Sequence, residues 1–331
     1  MWLTRLLRLL PWLLALGLLL WVLARAPLRE AAAIVAGLHG WQVGVLLALN
    51  GLVLLALNGR WWLILRAQGH AVPYLRLMGH RLAGFGVSYF TPGPQFGGEP
   101  VQVLLLERRQ GVPRATAVAA VTLDKLLELL VNFLFLAGGV LVVLRGGLLA
   151  EVVEWETAVF ALVLLLFPAL FLAATELGWY PVTRLLRGVG RWSGWDWRPG
   201  WRSKYDGLAQ LGASSEAQAT AFFRASPGTM LAALTVSIIS WLLLVAEYGL
   251  MLYFLGLELT GVQVVGLLTA VRFAFLLPLP GGLGAVESSQ VLALSLMGLN
   301  PAVGVSASLL IRARDVLLGV AGLWWWRANW G

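Results

Sequence analysis

Cysteine is absent from this chain of 331 residues, and charged side chains make up only 12% of it. The absence of cysteine excludes disulfides, thiolate metal sites and cysteine nucleophiles. Only three histidines are present, His39, His70 and His80. None has a second histidine or a carboxylate at ligand spacing, so neither a metal site nor another cofactor is expected.

Sequence motifs of ATP-driven and hydrolytic proteins are also missing. The chain has no P-loop, no H-E-x-x-H zinc motif and no Ser–His pairing. The sequence therefore predicts a protein that is not an enzyme and not an ATP-driven pump. If transport is energised, the expected source is the membrane potential or a proton carried by Glu99 or Glu287.

Hydrophobic residues, in contrast, make up 60% of the chain. Several apolar runs exceed the roughly 18 residues that a helix needs to cross a bilayer, and a soluble domain would carry about 25% charged residues. The composition therefore predicts an all-α polytopic membrane protein. The net charge of +8 is attributed to loops that face anionic headgroups, and nucleic acid is not an expected partner.

The apolar runs predict six spanning helices and two interrupted elements. The predicted spans cover residues 9–24, 40–65, 115–144, 157–177, 229–257 and 302–326. The interrupted elements, 82–106 and 262–297, each consist of two short apolar halves around a Pro/Gly break, and they are predicted to be re-entrant. The alternative is that each half forms a thin span of its own.

The whole chain is interpreted as one transmembrane domain, residues 1–331. It divides into repeat one at about 40–144, an interfacial cytoplasmic segment at about 178–228, and repeat two at about 229–326. Placing the N-terminus inside puts most Lys and Arg residues, Arg60 and Arg81 among them, in cytoplasmic segments. Both termini are then cytoplasmic, in the cell membrane, and the re-entrant elements enter from opposite sides as an inverted repeat.

The two breaks resemble each other in sequence. Residues 91–99, TPGPQFGGE, and residues 279–287, LPGGLGAVE, both place proline and glycine inside apolar sequence and end on a glutamate. A small-residue turn follows each break, and a cation, Lys125 or Arg312, lies fourteen residues after the first glycine of that turn. Paired broken helices at corresponding positions of two halves indicate the binding site of a membrane transporter.

Each break also precedes a predicted helix start that suits an anion. Free N–H groups at such a start and the helix dipole favour negative charge, and glycine lets a ligand approach the backbone closely. The alternative is that the breaks are kinks that only aid packing. The candidate residues at the two breaks are Gly97, Gly98, Glu99, Gly281, Gly282, Gly284 and Glu287.

Ionisable residues inside predicted spans are the second group of candidates, because each costs about 2.5–3.5 kcal/mol on insertion scales. Lys125 lies within reach of Glu128 at i,i+3, and Asp124 shares a helix face with Glu128. Arg312 and Asp315 are predicted to form a further i,i+3 pair near the end of the chain.

Lys125 and Arg312 are predicted to hold an anionic headgroup, since arginine binds phosphate bidentately and lysine acts as a compact charge. The residues expected to balance their charge are Glu99, Asp124, Glu287 and Asp315. The alternative is that these are buried ion pairs that fix helix register. Glu247, Arg272 and Arg314 are second-tier candidates, with Glu247 and Arg272 as partners of each other.

Two signatures in the sequence resemble those of a known family. One consists of residues 92–99, PGPQFGGE, with 124–129, DKLLEL, and the other of 277–287, LPLPGGLGAVE, with 309–315, LLIRARD. Both are similar to the transmembrane region of lysylphosphatidylglycerol synthases and of the flippase-like integral membrane proteins related to it. The similarity covers about residues 10–326, and it implies a flippase-like fold that moves lipids between leaflets.

The chain departs from that family in two respects. Asp124 is followed by Lys125 where the family usually has arginine, which weakens bidentate phosphate binding at this position. The sequence also has no counterpart of the soluble aminoacyl-transferase domain of the full synthases. The resemblance therefore implies that the chain does not make aminoacyl lipid itself.

Three functions are compatible with the sequence. A lipid translocase would carry an anionic lipid or a lipid-linked phosphate, with membrane lipid as its substrate. A proton-coupled transporter of a small soluble anion would use the same charges in a cavity closed to lipid. In a non-transporting membrane scaffold, the charges would be structural. The expected protein partners are a lipid-modifying enzyme or a glycosyltransferase, and a second copy of the chain.

Overall fold

Every regular element of the described chain is a helix. The computed structural model describes residues 28–91, 97–145, 201–277 and 279–329, with isolated positions between 159 and 185. The helices are α1 (Leu28–Ala36), α2 (Gly40–Ala67), α3 (Tyr74–Phe90), α4 (Glu99–Gln110), α5 (Arg114–Arg145), α6 (Trp201–Ala225), α7 (Pro227–Phe254), α8 (Gly261–Leu276), α9 (Ala285–Leu296) and α10 (Pro301–Ala328).

Three of these helices, α2, α5 and α7, are long and apolar enough to cross a membrane. They coincide with the predicted spans 40–65, 115–144 and 229–257. The predicted span 302–326 lies within α10, a helix of 28 residues that carries several charged side chains. The predicted spans 9–24 and 157–177 fall outside the continuous described ranges. The chain is a multi-pass helical membrane protein.

Each predicted break separates two short helices that pack against each other. α3 and α4 flank the first break, and α8 and α9 flank the second, which contains a 3-10 turn at Pro280–Gly282. α3 begins at Tyr74 rather than at residue 82. The sequence pattern missed its first turns because polar side chains there, Arg76 and His80 among them, interrupt the apolar run.

Helix starts in the second half of the chain follow local sequence rules. The hydroxyl of Thr260 accepts the N–H of Gln263 at 3.4 Å, and the side chain of Gln263 accepts the N–H of Thr260 at 2.9 Å, which forms a capping box. The side chain of Asn300 accepts the N–H of Ala302 at 2.9 Å, and Pro301 occupies the first turn, where its missing N–H is harmless. These caps fix where α8 and α10 begin.

α3 and α10 cross at a contact between glycines. A Cβ at Gly86 would collide with the carbonyl of Gly319, and a Cβ at Gly322 would collide with the carbonyl of Leu82. Small residues allow helix backbones to approach inside a membrane, where lipid provides no hydrophobic force between helices. This crossing brings the charged middle of α10 next to the C-terminal end of α3.

Two apolar clusters hold the described helices together. The first gathers buried residues of α2 to α6 together with Ala233 of α7, and its larger members include Trp61, Leu77, Leu106, Leu123 and Phe222. The second gathers buried residues of α7 to α10, among them Leu252, Leu267, Leu294 and Ile311. The two groups of helices meet chiefly where α2 packs on α7, α3 on α10 and α5 on α8. The cavity described next is lined by helices of both groups.

Candidate functional site

A cavity of about 250 Å³ lies among the helices and is lined by side chains of both halves of the chain. Part of its lining is apolar, from residues such as Leu57, Phe85 and Phe275. Its charged lining consists of Arg81, Glu99, Asp124, Lys125, Glu128, Glu247, Arg272, Arg314 and Asp315. A cluster of this kind within apolar helices is expensive in a membrane, which makes this cavity the candidate functional site.

Asp124 is bound by two arginines, Arg60 and Arg81, that are predicted to belong to cytoplasmic segments. Nε of Arg60 lies 2.7 Å from Oδ1 of Asp124, and Nη2 of Arg81 lies 2.8 Å from Oδ2. Arg60 is fully buried and also donates to the hydroxyl of Ser237 at 3.2 Å. The positive-inside count does not anticipate this pairing, which depends on a buried carboxylate of α5 that binds both guanidinium groups inside the bundle.

The sequence did contain a signal for these arginines. Arg60 lies inside the predicted span 40–65, where the apolar run Trp61-Trp-Leu-Ile-Leu65 follows it. An arginine flanked in this way is more expensive at a lipid surface than in an ion pair. The positive-inside rule counts such a residue by its nearness to a span end and takes no account of a buried partner.

Lys125 lies between two carboxylates. Its Nζ is 2.8 Å from Oε1 of Glu128, as the i,i+3 spacing predicted, and 3.7 Å from Oε1 of Glu99 on α4. These side chains keep partial exposure, 20% for Lys125, 34% for Glu128 and 26% for Glu99. The charge of Lys125 is therefore reachable from the cavity, but carboxylates of the protein already compensate it.

The N–H groups that precede α4 also have partners within the protein. The N–H of Gly97 donates to Oε2 of Glu99 at 2.8 Å, and the N–H of Gly98 donates to the hydroxyl of Ser88 at 2.8 Å. A Cβ at Gly98 would collide with the backbone of Gly84. Gly98 thus permits the close packing of α4 on α3, and an anion at this helix start would compete with a carboxylate and a hydroxyl for the donors.

Arg312 clamps the second break. Its Nε and Nη2 lie 2.8 Å and 3.1 Å from the two carboxylate oxygens of Glu287, and its Nη2 donates to the carbonyl of Gly282 at 2.8 Å. Nη1 donates to the carbonyl of Gly281 and, at 3.3 Å, to the hydroxyl of Tyr89. Arg312 therefore acts on the broken backbone itself, and neither Arg312 nor Glu287 lines the cavity.

Glycine conformation explains how this clamp can form. Gly281, Gly282 and Gly284 have φ angles of 53°, 64° and 76°, in the left-handed region that favours glycine. These angles allow the unwound backbone to present two successive carbonyl groups to Arg312. Gly281 and Gly282, two of the glycines predicted to receive an anion, thus turn acceptor groups toward a cation of the protein.

The charges of α7 and α10 also pair differently from the prediction. Nη1 of Arg314 lies 2.7 Å from Oε1 of Glu247, and Nε of Arg314 lies 2.9 Å from Oδ1 of Asp315. Asp315 therefore pairs with its neighbour rather than with Arg312, and Glu247 pairs with Arg314 rather than with Arg272. Sequence spacing favoured the local i,i+3 pair, whereas the packing of α7 against α10 supplied Arg314 with a second carboxylate.

Arg272 has a different environment from the other cavity arginines. Within the described ranges it makes no hydrogen bond or ion pair, and its buried Nε has no partner. Its guanidinium carbon lies 4.7 Å from the ring centroid of Trp241, a cation–π distance. Arg272 lines both the main cavity and an adjoining cavity of about 120 Å³.

Two polar residues of α2 hydrogen-bond to neighbouring helices. Asn50 donates to Glu247 at 3.4 Å, and Asn58 donates to the carbonyl of Tyr74 at 3.0 Å. Such hydrogen bonds hold helices together in a membrane.

Among the residues that the structure describes, no group of three or more His, Asp or Glu side chains is arranged to hold a metal ion.

The fold and this cavity define a class, the multi-pass helical membrane proteins with an ionisable cavity inside their helix bundle. Residues 8–322 match the family described as the lysylphosphatidylglycerol synthase TM region. The chain belongs to this family, and the resemblance found in the two break signatures is confirmed.

One curated relative extends the comparison. The chain is 26% identical over 273 residues to a UPF0104 membrane protein of Methanothermobacter thermautotrophicus (strain ATCC 29096 / DSM 1053 / JCM 10044 / NBRC 100330 / Delta H). The match covers 80% of this chain and 78% of the relative. No solved structure matches the chain.

Proposed function

We propose that the protein is a lipid translocase, which moves an anionic lipid or a lipid-linked phosphate between the leaflets of the cell membrane. The observation that carries this proposal is the charged cavity of about 250 Å³ inside an apolar helix bundle. Ionisable groups at membrane depth are retained where they serve a polar substrate or an ion. Membership of a family named for lysylphosphatidylglycerol synthase supports a lipid as that substrate.

The size of the cavity supports a headgroup as its occupant. Pockets that enclose a whole drug-sized ligand measure about 300–1,000 Å³, and this cavity falls just below that range. A phosphate-bearing headgroup would occupy it while the acyl chains stay in the bilayer. The protein would then bind and orient the lipid without changing its covalent structure, so the proposed activity is transport rather than catalysis.

The arrangement of helices supports alternating access between two repeats. α2 to α5 and α7 to α10 have the same order, a long helix, two short helices around a break, and a long helix. Their contacts also correspond, because α3 packs on α10 as α8 packs on α5, and α2 packs on its counterpart α7. We propose that the two groups are inverted repeats with re-entrant short helices, and that they move relative to each other around the cavity.

Topology and partners follow from the same proposal. Both termini would be cytoplasmic, with the first break entering from the cytoplasmic side and the second from the outside. The substrate partner would be a membrane lipid. A lipid-modifying enzyme or a glycosyltransferase that supplies or consumes this lipid, and a second copy of the chain, are the proposed protein partners.

Movement of a labelled lipid in proteoliposomes tests the proposal. Phosphatidylglycerol that carries a nitrobenzoxadiazole label on an acyl chain is incorporated in both leaflets. Dithionite, which does not cross the bilayer, then quenches the label in the outer leaflet only. The wild-type protein is expected to bring inner-leaflet label outside, and labelled phosphatidylcholine and protein-free liposomes serve as controls. Uptake of inorganic phosphate without any lipid movement would instead identify a transporter of soluble anions.

A further inference from the structure

We infer that Arg272, supported by the ring of Trp241, is the residue that binds the anionic group of the substrate in the cavity. The inference rests on the proposed transport function for the identity of the substrate as a lipid, but it assigns the anion to a residue that the break motifs do not include. The ligand chemistry is that of a phosphate group with two free oxygens. Such a group is present both in a phospholipid headgroup and in inorganic phosphate.

The other cavity cations already hold carboxylates at short distance. Arg81 lies 2.8 Å from Asp124, Lys125 lies 2.8 Å from Glu128, and Arg314 lies 2.7 Å from Glu247. An anionic substrate would have to separate one of these pairs before it could bind. Breaking a buried pair leaves a carboxylate without compensation and is costly.

Arg272 requires no such exchange. In the part of the chain that the structure describes, no carboxylate or carbonyl accepts from its guanidinium, and its Nε is buried without a partner. A buried donor without an acceptor destabilises the protein. A phosphate oxygen that accepts from the guanidinium would therefore break no ion pair, so the free energy gained on binding is not offset by such a loss.

Trp241 holds the guanidinium in a defined place. The guanidinium carbon lies 4.7 Å from the indole centroid, and the indole itself packs against Phe135, with ring centroids 4.7 Å apart. The aromatic face attracts the cation without using any of its N–H donors. The planar edge of the guanidinium is then free for two oxygens of one phosphate.

The cavity geometry agrees with this assignment. Arg272 lines the main cavity and the adjoining cavity of about 120 Å³, which also contacts Glu128, Asn132 and Ser240. An anion at Arg272 would therefore lie at the junction of the two cavities. The carboxylate of Glu128 borders the same junction and weakens the binding of an anion there, which favours release of the substrate after it has moved.

Lipid binding measured by native mass spectrometry tests the inference. The protein is purified in mild detergent and titrated with dioleoyl phosphatidylglycerol, as wild type and as Arg272→Gln, Arg272→Lys and Arg66→Gln. Loss of a charge-assisted, bidentate contact is expected to weaken binding by Arg272→Gln by about tenfold or more. Arg272→Lys keeps the charge but loses the planar donor pair and is expected to fall between Arg272→Gln and the wild type.

Arg66→Gln is a matched control. The Arg66 guanidinium lies 4.8 Å from the ring centroid of Trp62, so the Arg66→Gln variant loses the same kind of cation–π contact as Arg272→Gln. Arg66 is exposed and lines neither cavity. Binding by this variant is expected to match the wild type. If folded Arg272→Gln binds the lipid as tightly as the wild type does, the inference is overturned. If Arg272→Gln does not fold, wild-type affinity in Arg272→Lys would overturn it instead.

Two further measurements distinguish a lipid from free phosphate as the ligand, and lipid transport from lipid binding as the role of the protein. Displacement of the bound lipid by inorganic phosphate would show that the phosphate group alone suffices at Arg272, and retention would show that the lipid is required. If lipid binding depends on Arg272 but the wild-type protein moves no labelled lipid, the proposed translocase activity is overturned and the binding site at Arg272 is retained. If Arg272→Gln moves lipid at the wild-type rate, the binding site at Arg272 is overturned and the proposed translocase activity is retained.

Discussion

Arg312 and Glu287 form a bidentate ion pair across the second break, with Nε 2.8 Å from Oε1 and Nη2 3.1 Å from Oε2. The same guanidinium binds the carbonyls of Gly281 and Gly282, which the unwound backbone cannot pair within a helix. At membrane depth such carbonyls need a partner from the protein. The pair therefore determines the shape of the break rather than presenting a charge to the cavity.

Replacing Arg312 with alanine is expected to destabilise the protein by about 3–5 kcal/mol, because Glu287 and two carbonyls are left buried without a partner. Arg312→Lys retains the charge but not the fork of donors, so it should recover only part of the loss. The thermal unfolding midpoint in detergent measures both effects, with Arg66→Gln as the control. A midpoint equal to that of the wild type in Arg312→Ala would show that the clamp does not stabilise the break.

Gly98→Ala is expected to destabilise the contact of α4 with α3 by about 1–3 kcal/mol, the usual cost of overpacking. The added Cβ would meet the backbone of Gly84, which cannot move aside as a flexible side chain does. Gly51 provides the control, since a Cβ there meets nothing within 4 Å and alanine should raise helix stability by up to about 1 kcal/mol. Unfolding midpoints that shift equally in the two variants would contradict this account.

Asp124→Asn is expected to cost about 3–5 kcal/mol, because Arg60 and Arg81 lose the carboxylate that compensates them inside the bundle. A double-mutant cycle isolates the pair of Arg60 with Asp124. Arg60→Gln with Asp124→Asn should cost less than the sum of the single changes, since their contact is lost only once, while the loss at Arg81 occurs in both Asp124→Asn variants and cancels. Thermal midpoints of the three variants and the wild type supply the cycle. Additive losses would mean that the two residues stabilise the protein independently.

Local sequence rules predicted the parts of this protein that depend on neighbours in the chain. The helices that cover three predicted spans, the two breaks and the contact of Lys125 with Glu128 all follow from hydropathy, glycine and proline, or i,i+3 spacing. The start of α3 was missed because its first turns are polar on one side. In these cases the information lies within one or two turns of helix.

Pairings between helices could not be predicted in the same way. Arg60 and Asp124 are 64 residues apart, and only the packing of α2 against α5 brings them together. The expected pair of Arg312 with Asp315 failed for a related reason, because Glu287 from another helix offers Arg312 two oxygens at once. A bidentate partner across helices outweighs a single contact along one helix.

Glu128→Gln separates the role of a cavity carboxylate in transport from its role in folding. Glu128 lies closer to Lys125 than Glu99 does, at 2.8 Å against 3.7 Å, and its side chain is 34% exposed. Glu128 also lies 3.7 Å from Nη2 of the buried Arg60. Because Arg60 keeps Asp124 as a closer partner at 2.7 Å, the unfolding midpoint is expected to fall by less than it does in Asp124→Asn. Lys125 would gain net positive character, so the variant is expected to hold an anionic headgroup more tightly and to release it more slowly. Lipid movement in proteoliposomes should therefore slow while phosphatidylglycerol binding strengthens, and faster movement together with weaker binding would show that Glu128 contributes to the headgroup site directly.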